Sequence, residues 1–183
     1  MKRILASLVL MVLLLPALAL GETMDDLVYR EGLYYKNFTD VPFTGNLTGK
    51  TQGTIRNGTE EGPWIYYYDN GQLWNGENYK DGKREGPCVY YHKNGQLWGK
   101  GTWKDGNKDG PWVKYRDTGQ LWDKGTYKDG KEEGPWVSYY HDGQLWDKGT
   151  YKDGKKEGLW IKYGDNGQLL SKTTYKDGDK VGP

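Results

Sequence analysis

Cysteine is nearly absent from this sequence: Cys88 stands alone among 183 residues. A single cysteine excludes an internal disulfide framework and a multi-cysteine zinc site. Phenylalanine and histidine are equally scarce, at 2 residues each. No sign of charge dominates, because 26 basic residues meet 25 acidic ones for a formal net charge of +1. A nucleic-acid binder carries a basic excess to neutralise phosphates, so the balance excludes that class. Aliphatic residues are sparse too. What the chain has instead is 9 Trp, 16 Tyr and 28 Gly. That is too aromatic for a disordered chain and too glycine-rich for a helical bundle. The length suits one domain or one short array.

The first residues read as an address. Lys2 and Arg3 precede an apolar run from Ile4 to Leu15, which Pro16 breaks, and Ala17 to Gly21 supplies small residues at cleavage spacing. This is the pattern of a secretory signal peptide over residues 1–21, cut after Ala19 or Gly21. The run is marginal for crossing a bilayer, so no stable membrane span is expected after cleavage. No cysteine follows it, which excludes a lipid anchor at that point. Without residues 1–21 the chain keeps 24 basic and 25 acidic side chains. The expected location is outside the cytoplasm, periplasmic or secreted in a bacterium, where a lone cysteine is no surprise.

The remainder is periodic. Gly62, Gly86, Gly110, Gly134, Gly158 and Gly182 are separated by a constant 24 residues. Trp64, Trp112, Trp136 and Trp160 keep the same step, with Cys88 in the vacant slot, and so do Gly71, Gly95, Gly119, Gly143 and Gly167. Leu73, Leu97, Leu121, Leu145 and Leu169 follow, as do Asp-Gly pairs beginning at Asp81, Asp105, Asp129, Asp153 and Asp177. Five units result, at residues 62–85, 86–109, 110–133, 134–157 and 158–181, and residues 62–183 form the array. Residues 22–61 are a divergent start that holds both phenylalanines, Phe38 and Phe43, as an N-terminal cap would.

Each unit has two turn signals. Asn70-Gly71, Asn94-Gly95, Asp142-Gly143 and Asn166-Gly167 suit a two-residue hairpin whose central residues both take φ > 0, and Thr118-Gly119 suits it least. The Asp-Gly pairs carry the same chemistry. Pro63, Pro87, Pro111 and Pro135 are expected at the first position of a strand. With Asp142 and Gly143 as loop residues, Tyr139 faces Trp146, Val137 faces Lys148, and Trp136 faces Gly149, over which its indole can lie. Alternation then puts Trp136, Leu145 and Tyr151 on one face, and Val137, Tyr139, Trp146 and Thr150 on the other. The expected fold is all-β: tandem 24-residue hairpins in an extended, twisted single-sheet meander or open solenoid.

The frame Asp-Gly-Lys-x-x-Gly-x-Trp-x-x-Tyr, then Asn-Gly-Gln-Leu, then Gly-x-Tyr-Lys-Asp-Gly resembles the variant class of MORN repeats, most closely from Asp129 to Gly154. Asp26 to Tyr35 and Val41 to Gly45 look like the opening of bacterial proteins built from such repeats. The resemblance spans about Asp25 to Pro183. It implies partner binding without catalysis, and many bacterial members are described as antitoxin components of toxin–antitoxin systems. The signal peptide departs from that pattern and implies that any such partner is itself exported.

No catalytic constellation emerges. His92 and His141 fall at different points of their units and read as turn residues. Cys88 reads as a small filler in an aromatic column. The repeated aspartates bring one carboxylate per turn with lysines beside it, too few oxygens for calcium. Glu60-Glu61 and Glu132-Glu133 read as solvated, pairing with lysines of adjoining units. Asn37, Asn46 and Asn57 begin Asn-x-Thr triplets, discounted in a bacterial chain. No cofactor, no metal ligand and no enzyme activity is expected. The candidate interaction surface is aromatic: Trp74, Trp98, Trp122 and Trp146, alternating with charges, together with Tyr67, Tyr91, Tyr115 and Tyr139. Its plain alternative is that the tryptophans only cover the sheet. The expected ligand is a protein partner. A cell-wall or glycan polymer, stacked on the aromatic faces, is the second reading.

Overall fold

The computed structural model describes residues 21–182. The expected signal peptide, apart from Gly21, lies outside the described residues. Among those residues there are seventeen strands and one 3-10 turn, Met24–Asp26. Strands Leu27–Arg30 and Leu33–Lys36 pair as a hairpin of their own. The other fifteen form one open antiparallel sheet, laid down in chain order from Gly45–Leu47 to Asp179–Gly182. The fold is the expected hairpin meander.

The Asp-Gly turns form as two-residue hairpins. Asp153 (φ 50°) and Gly154 (φ 79°) sit between the paired residues Lys152 and Lys155. The same left-handed aspartate recurs at Asp81, Asp105, Asp129 and Asp177. The other turn is different. Gly143 is left-handed (φ 88°) but Asp142 is not among the positive-φ residues. The Tyr140 N–H donates to the Gln144 carbonyl at 2.8 Å, and the Gly143 N–H donates to the Tyr140 carbonyl at 3.1 Å. This is a three-residue loop, a type I turn closed by glycine in a bulge. Asp142 earns its place through its carboxylate, which accepts the Gln144 N–H at 2.9 Å, and Asn70, Asn94 and Asn166 do the same for Gln72, Gln96 and Gln168. A β-branched Thr118 fits because its φ is not forced positive.

The extra loop residue shifts the register by one. Trp136–Gly149 and Val137–Lys148 pair as expected, but Tyr139 pairs with Leu145 and not with Trp146. Leu145 therefore shares the face of Val137 and Tyr139. Trp146 moves to the face of Trp136, with its ring 6.1 Å from that of Tyr140. A one-residue slip exchanges faces because strand side chains alternate.

The prolines are not at strand starts throughout. Pro63 lies inside Thr59–Tyr67 and Pro135 inside Lys131–Tyr139. Gly134, Pro135 and Trp136 all pair regularly with Tyr151, Thr150 and Gly149. Toward the preceding strand, those three residues stand opposite Gly125 alone, between the pairs Lys124–Val137 and Thr126–Glu133. The missing proline N–H is thus absent where no ladder bond is made. Gly134 takes φ 77°, and Gly62, Gly86, Gly110 and Gly158 take φ 68–83°. Each unit is bent at one equivalent point, which creases the sheet along a line across the strands.

The wide gap opposite Gly125 is filled by the Trp136 indole. It covers Gly125 of the preceding unit, not its own partner Gly149, which the Trp160 indole covers. Trp64 on Gly53 and Trp112 on Gly101 repeat the arrangement. Between the indoles stand tyrosines, edge to face: Trp112–Tyr127 at 6.0 Å, Tyr127–Trp136 at 5.5 Å, Trp136–Tyr151 at 5.8 Å and Tyr151–Trp160 at 4.9 Å. Contacts of this kind contribute about 0.5–1.5 kcal/mol each beyond area burial. At the N-terminal end Leu47, Ile55 and Trp64 are buried, with Met24, Leu27, Tyr34 and Phe43 packed over them.

Candidate functional site

The aromatic residues singled out in the sequence do not form one surface. Trp74, Trp98, Trp122 and Trp146 are the bulge residues and lie on the face of the buried Trp64, Trp112 and Trp160. Tyr67, Tyr91, Tyr115 and Tyr139 pair with Leu73, Leu97, Leu121 and Leu145 on the opposite face. Trp74 is 46% exposed and Trp122 37%, and the other two are half-buried. All four are engaged within the chain. Trp74 meets Tyr66 and Tyr68 at 6.0 Å, and Trp98 meets Tyr90 at 5.5 Å. Arg116 lies 5.4 Å from the Trp122 ring and Lys162 lies 5.5 Å from that of Trp146. Cations over indole faces are favourable pairs, and Lys108 and Lys156 place them over Trp112 and Trp160 as well.

One polar cluster interrupts this face. Cys88 occupies a tryptophan slot, and Glu77 occupies the glycine slot that such a tryptophan would cover. The two departures compensate: a small thiol replaces the indole, and a carboxylate side chain fills the space. Glu77 is 3% exposed. Its carboxylate accepts from Asn75 at 2.8 Å, Tyr90 at 2.8 Å, Arg84 at 2.5 Å and Tyr79 at 3.2 Å. A buried carboxylate is tolerated only with such a set of donors. Burial pushes the Cys88 thiol up from its ordinary value, and does the same to the Tyr90 hydroxyl. Further along, buried Asp123 lies 3.3 Å from Lys114; burial raises the carboxyl, and Lys114 opposes the shift.

Two columns of hydrogen bonds join unit to unit, and sequence reasoning missed both. The Tyr68 hydroxyl donates to the Tyr91 carbonyl at 2.8 Å, Arg116 to Tyr139 at 3.0 Å, and the Tyr140 hydroxyl to Tyr163 at 2.9 Å. His92 Nε2 stands 3.0 Å from the Tyr115 carbonyl in the same slot, so Nε2 carries the proton. Tyrosine, histidine and arginine share no class, which hid the column; what they share is a donor at similar reach. In the second column Glu61, Glu85, Glu133 and Glu157 accept the N–H of Asp81, Asp105, Asp153 and Asp177 at 2.8–3.1 Å. These glutamates dock the next turn. Among the described residues no ion pair joins Glu61 or Glu133 to a lysine, the pairing the sequence had suggested for them.

His92 and His141 do meet at one shallow hollow of about 230 Å³, with Arg116 and Trp122 between them. Cys88 is not among its lining residues. Among the described residues no three of His, Cys, Asp and Glu gather as a metal site. No helix among them is long and apolar enough to cross a membrane.

The opposite face carries the larger feature. Where the glycine-proline bends align, the sheet is hollowed into a trough of about 880 Å³ that spans four units, from Pro87 to Ile161. Its walls repeat: Pro111 and Val113, Pro135 and Val137, Leu159 and Ile161, with Thr102, Thr126 and Thr150 across from them. Lys100, Lys124 and Lys148 run along it, exposed, and none takes part in an ion pair among the described residues. Tyr91, Tyr115 and Tyr139 stand one step further along the same strands and share this face.

An open, single-layer sheet of tandem hairpins with an aromatic side and a creased side is a repeat-protein architecture. The family model described as the MORN repeat variant matches five segments, residues 60–81, 84–105, 108–129, 132–153 and 156–177. The chain belongs to the MORN repeat variant family. No curated protein sequence matches it. Among solved structures, the crystal structure of a GtfA/B complex bound to UDP and GlcNAc shares 16% identity over 73% of this chain and 25% of that one, with a TM-score of 0.20. The chain thus spans a quarter of that protein's length, and the likeness carries no argument.

Proposed function

We propose that this is an exported, non-catalytic repeat protein that binds another protein along the trough. The observation that carries the reading is the division of labour between the faces. The tryptophan side is occupied by its own rings, cations and buried polar groups, whereas the trough presents an exposed apolar floor with lysines that form no ion pair among the described residues. Apolar ground beside charged groups is the anatomy of a protein-binding patch. Family membership supports an interaction module, and the basic-then-apolar leader supports export. An antitoxin-like role belongs to this reading only if the toxin is exported too.

The rival reading is a cell-wall or glycan ligand stacked on aromatic faces. The occupied tryptophans speak against it. Incubating the mature chain with envelope extract and with purified cell-wall polysaccharide separates the two. Recovery of a defined protein, with none of the chain sedimenting with polysaccharide, is the expected result; retention on polysaccharide alone overturns the proposal.

A further inference from the structure

We infer that the trough takes an extended acidic polypeptide in polyproline II conformation, with carboxylates at every third residue, aligned across the strands. The inference rests on the protein-binding reading and specifies its partner. Two observations carry it: the charge of the trough and its period.

Lys100, Lys124 and Lys148 occupy one slot in three successive units, and Lys172 continues the column in the fifth. All are exposed, and none forms an ion pair among the described residues. Glu85, Glu133 and Glu157, on the same face, are turned to the neighbouring turns, where they accept the backbone N–H groups of Asp105, Asp153 and Asp177. They keep their charge but stand at the turn end of the strands, while the lysine row itself runs beside proline, valine and threonine. An occupant that complements it is acidic and partly apolar, and it runs along the row.

The period selects the conformation. Equivalent residues lie two strands apart, roughly 9–10 Å at the usual strand spacing. A polyproline II chain rises about 3.1 Å per residue with three residues per turn, so every third side chain returns to the same side after about 9.3 Å. One carboxylate then meets each lysine while the two intervening residues lie on the apolar floor. A β-strand covers a similar distance in three residues, but its side chains alternate, so successive carboxylates would point to opposite sides. A helix needs about six residues to advance the same distance. Tyr91, Tyr115 and Tyr139 flank the row at the same interval, and aromatic-lined grooves suit polyproline II ligands.

The experiment uses two twelve-residue peptides of equal composition, four repeats of Glu-Pro-Pro and a version with the four glutamates adjacent, titrated against residues 22–183. The regular peptide is expected to bind at least about tenfold more tightly, and the preference is expected to vanish in the Lys124→Glu/Lys148→Glu variant, whose exposed sites leave the circular dichroism unchanged. Equal binding of the two peptides, or binding of dextran sulfate as tight as the regular peptide, overturns the inference in favour of a general polyanion surface. The envelope partner serves as the second arm. If neither peptide binds and the charge-reversed variant still recovers that partner, the acidic-ligand inference fails while the protein-binding reading stands. If neither peptide binds and no protein is recovered by either form, both fail.

Discussion

The indole of Trp136 lies on the bare Cα of Gly125, so close that a methyl group built there would stand 1.8 Å from the ring. The contact joins two units, because Trp136 belongs to the one that follows Gly125. Replacing Gly125 with alanine is expected to displace the ring and cost about 1–3 kcal/mol, the usual range for overpacking. Chemical denaturation of the single variant measures it. Alanine at Gly143, which has open space around it but φ 88°, separates backbone strain from ring displacement.

Glu77 and Cys88 form the exception to that contact, and the exception is testable as a pair. Cys88→Trp alone drives an indole onto a buried carboxylate. Glu77→Gly alone leaves Asn75, Arg84 and Tyr90 without their acceptor. The double variant restores the arrangement seen at Trp112 and Gly101. It is expected to be more stable than the sum of the single effects by about 1–3 kcal/mol, within the range of coupled neighbours. A double-mutant cycle on unfolding free energies reads the coupling.

Tyr140→Phe removes one inter-unit hydrogen bond, to the Tyr163 carbonyl, and nothing else of size. The expected cost is about 0.5–1.5 kcal/mol. It should be local, so hydrogen exchange is expected to rise over residues 158–176 and not over residues 59–80. Units that contact only their neighbours behave this way.

Tyrosines give the array an alkaline limit. Burial, then Glu132 and Asp123, pushes the Tyr127 hydroxyl up to about 12, and burial, then Glu60, pushes Tyr34 up to about 12. A folded-state value above the unfolded value of 10.0 favours the neutral form. The stabilisation is therefore complete below pH 10 and is lost as pH rises from 10 toward 12. Tyrosinate absorbance and unfolding midpoints recorded together over that interval are expected to change in step.

Much of the fold was legible from the chain, for reasons that particular residues make clear. The Asp-Gly pairs dictate a two-residue turn because both residues tolerate φ > 0, and Asp153 and Gly154 adopt it. The pairing of Trp136 with Gly149 followed from counting. The face of Trp146 did not. Asn-Gly and Asp-Gly look alike in sequence, yet Asp142 uses its carboxylate to hold a three-residue loop, and one additional residue reverses the faces of Leu145 and Trp146. The indole's reach to Gly125 was hidden for a related reason: Gly134-Pro135 reads as a strand start, whereas it is a bend that opens space on the preceding strand. The trough follows from the same bend, so it too escaped a reading based on alternation. The eight aromatic candidates were recognisable as repeated positions. Their division between two faces depended on that single loop residue.

Site-specific photo-crosslinking distinguishes the two faces as binding surfaces. A benzophenone amino acid placed at Thr126, on the trough, and separately at Ser171, on the tryptophan face, is carried by residues 22–183 into envelope extract. One defined protein adduct is expected from Thr126, lost with Lys124→Glu/Lys148→Glu, and none from Ser171. An adduct from Ser171 with none from Thr126 would put the partner on the tryptophan face and remove the trough as the binding site.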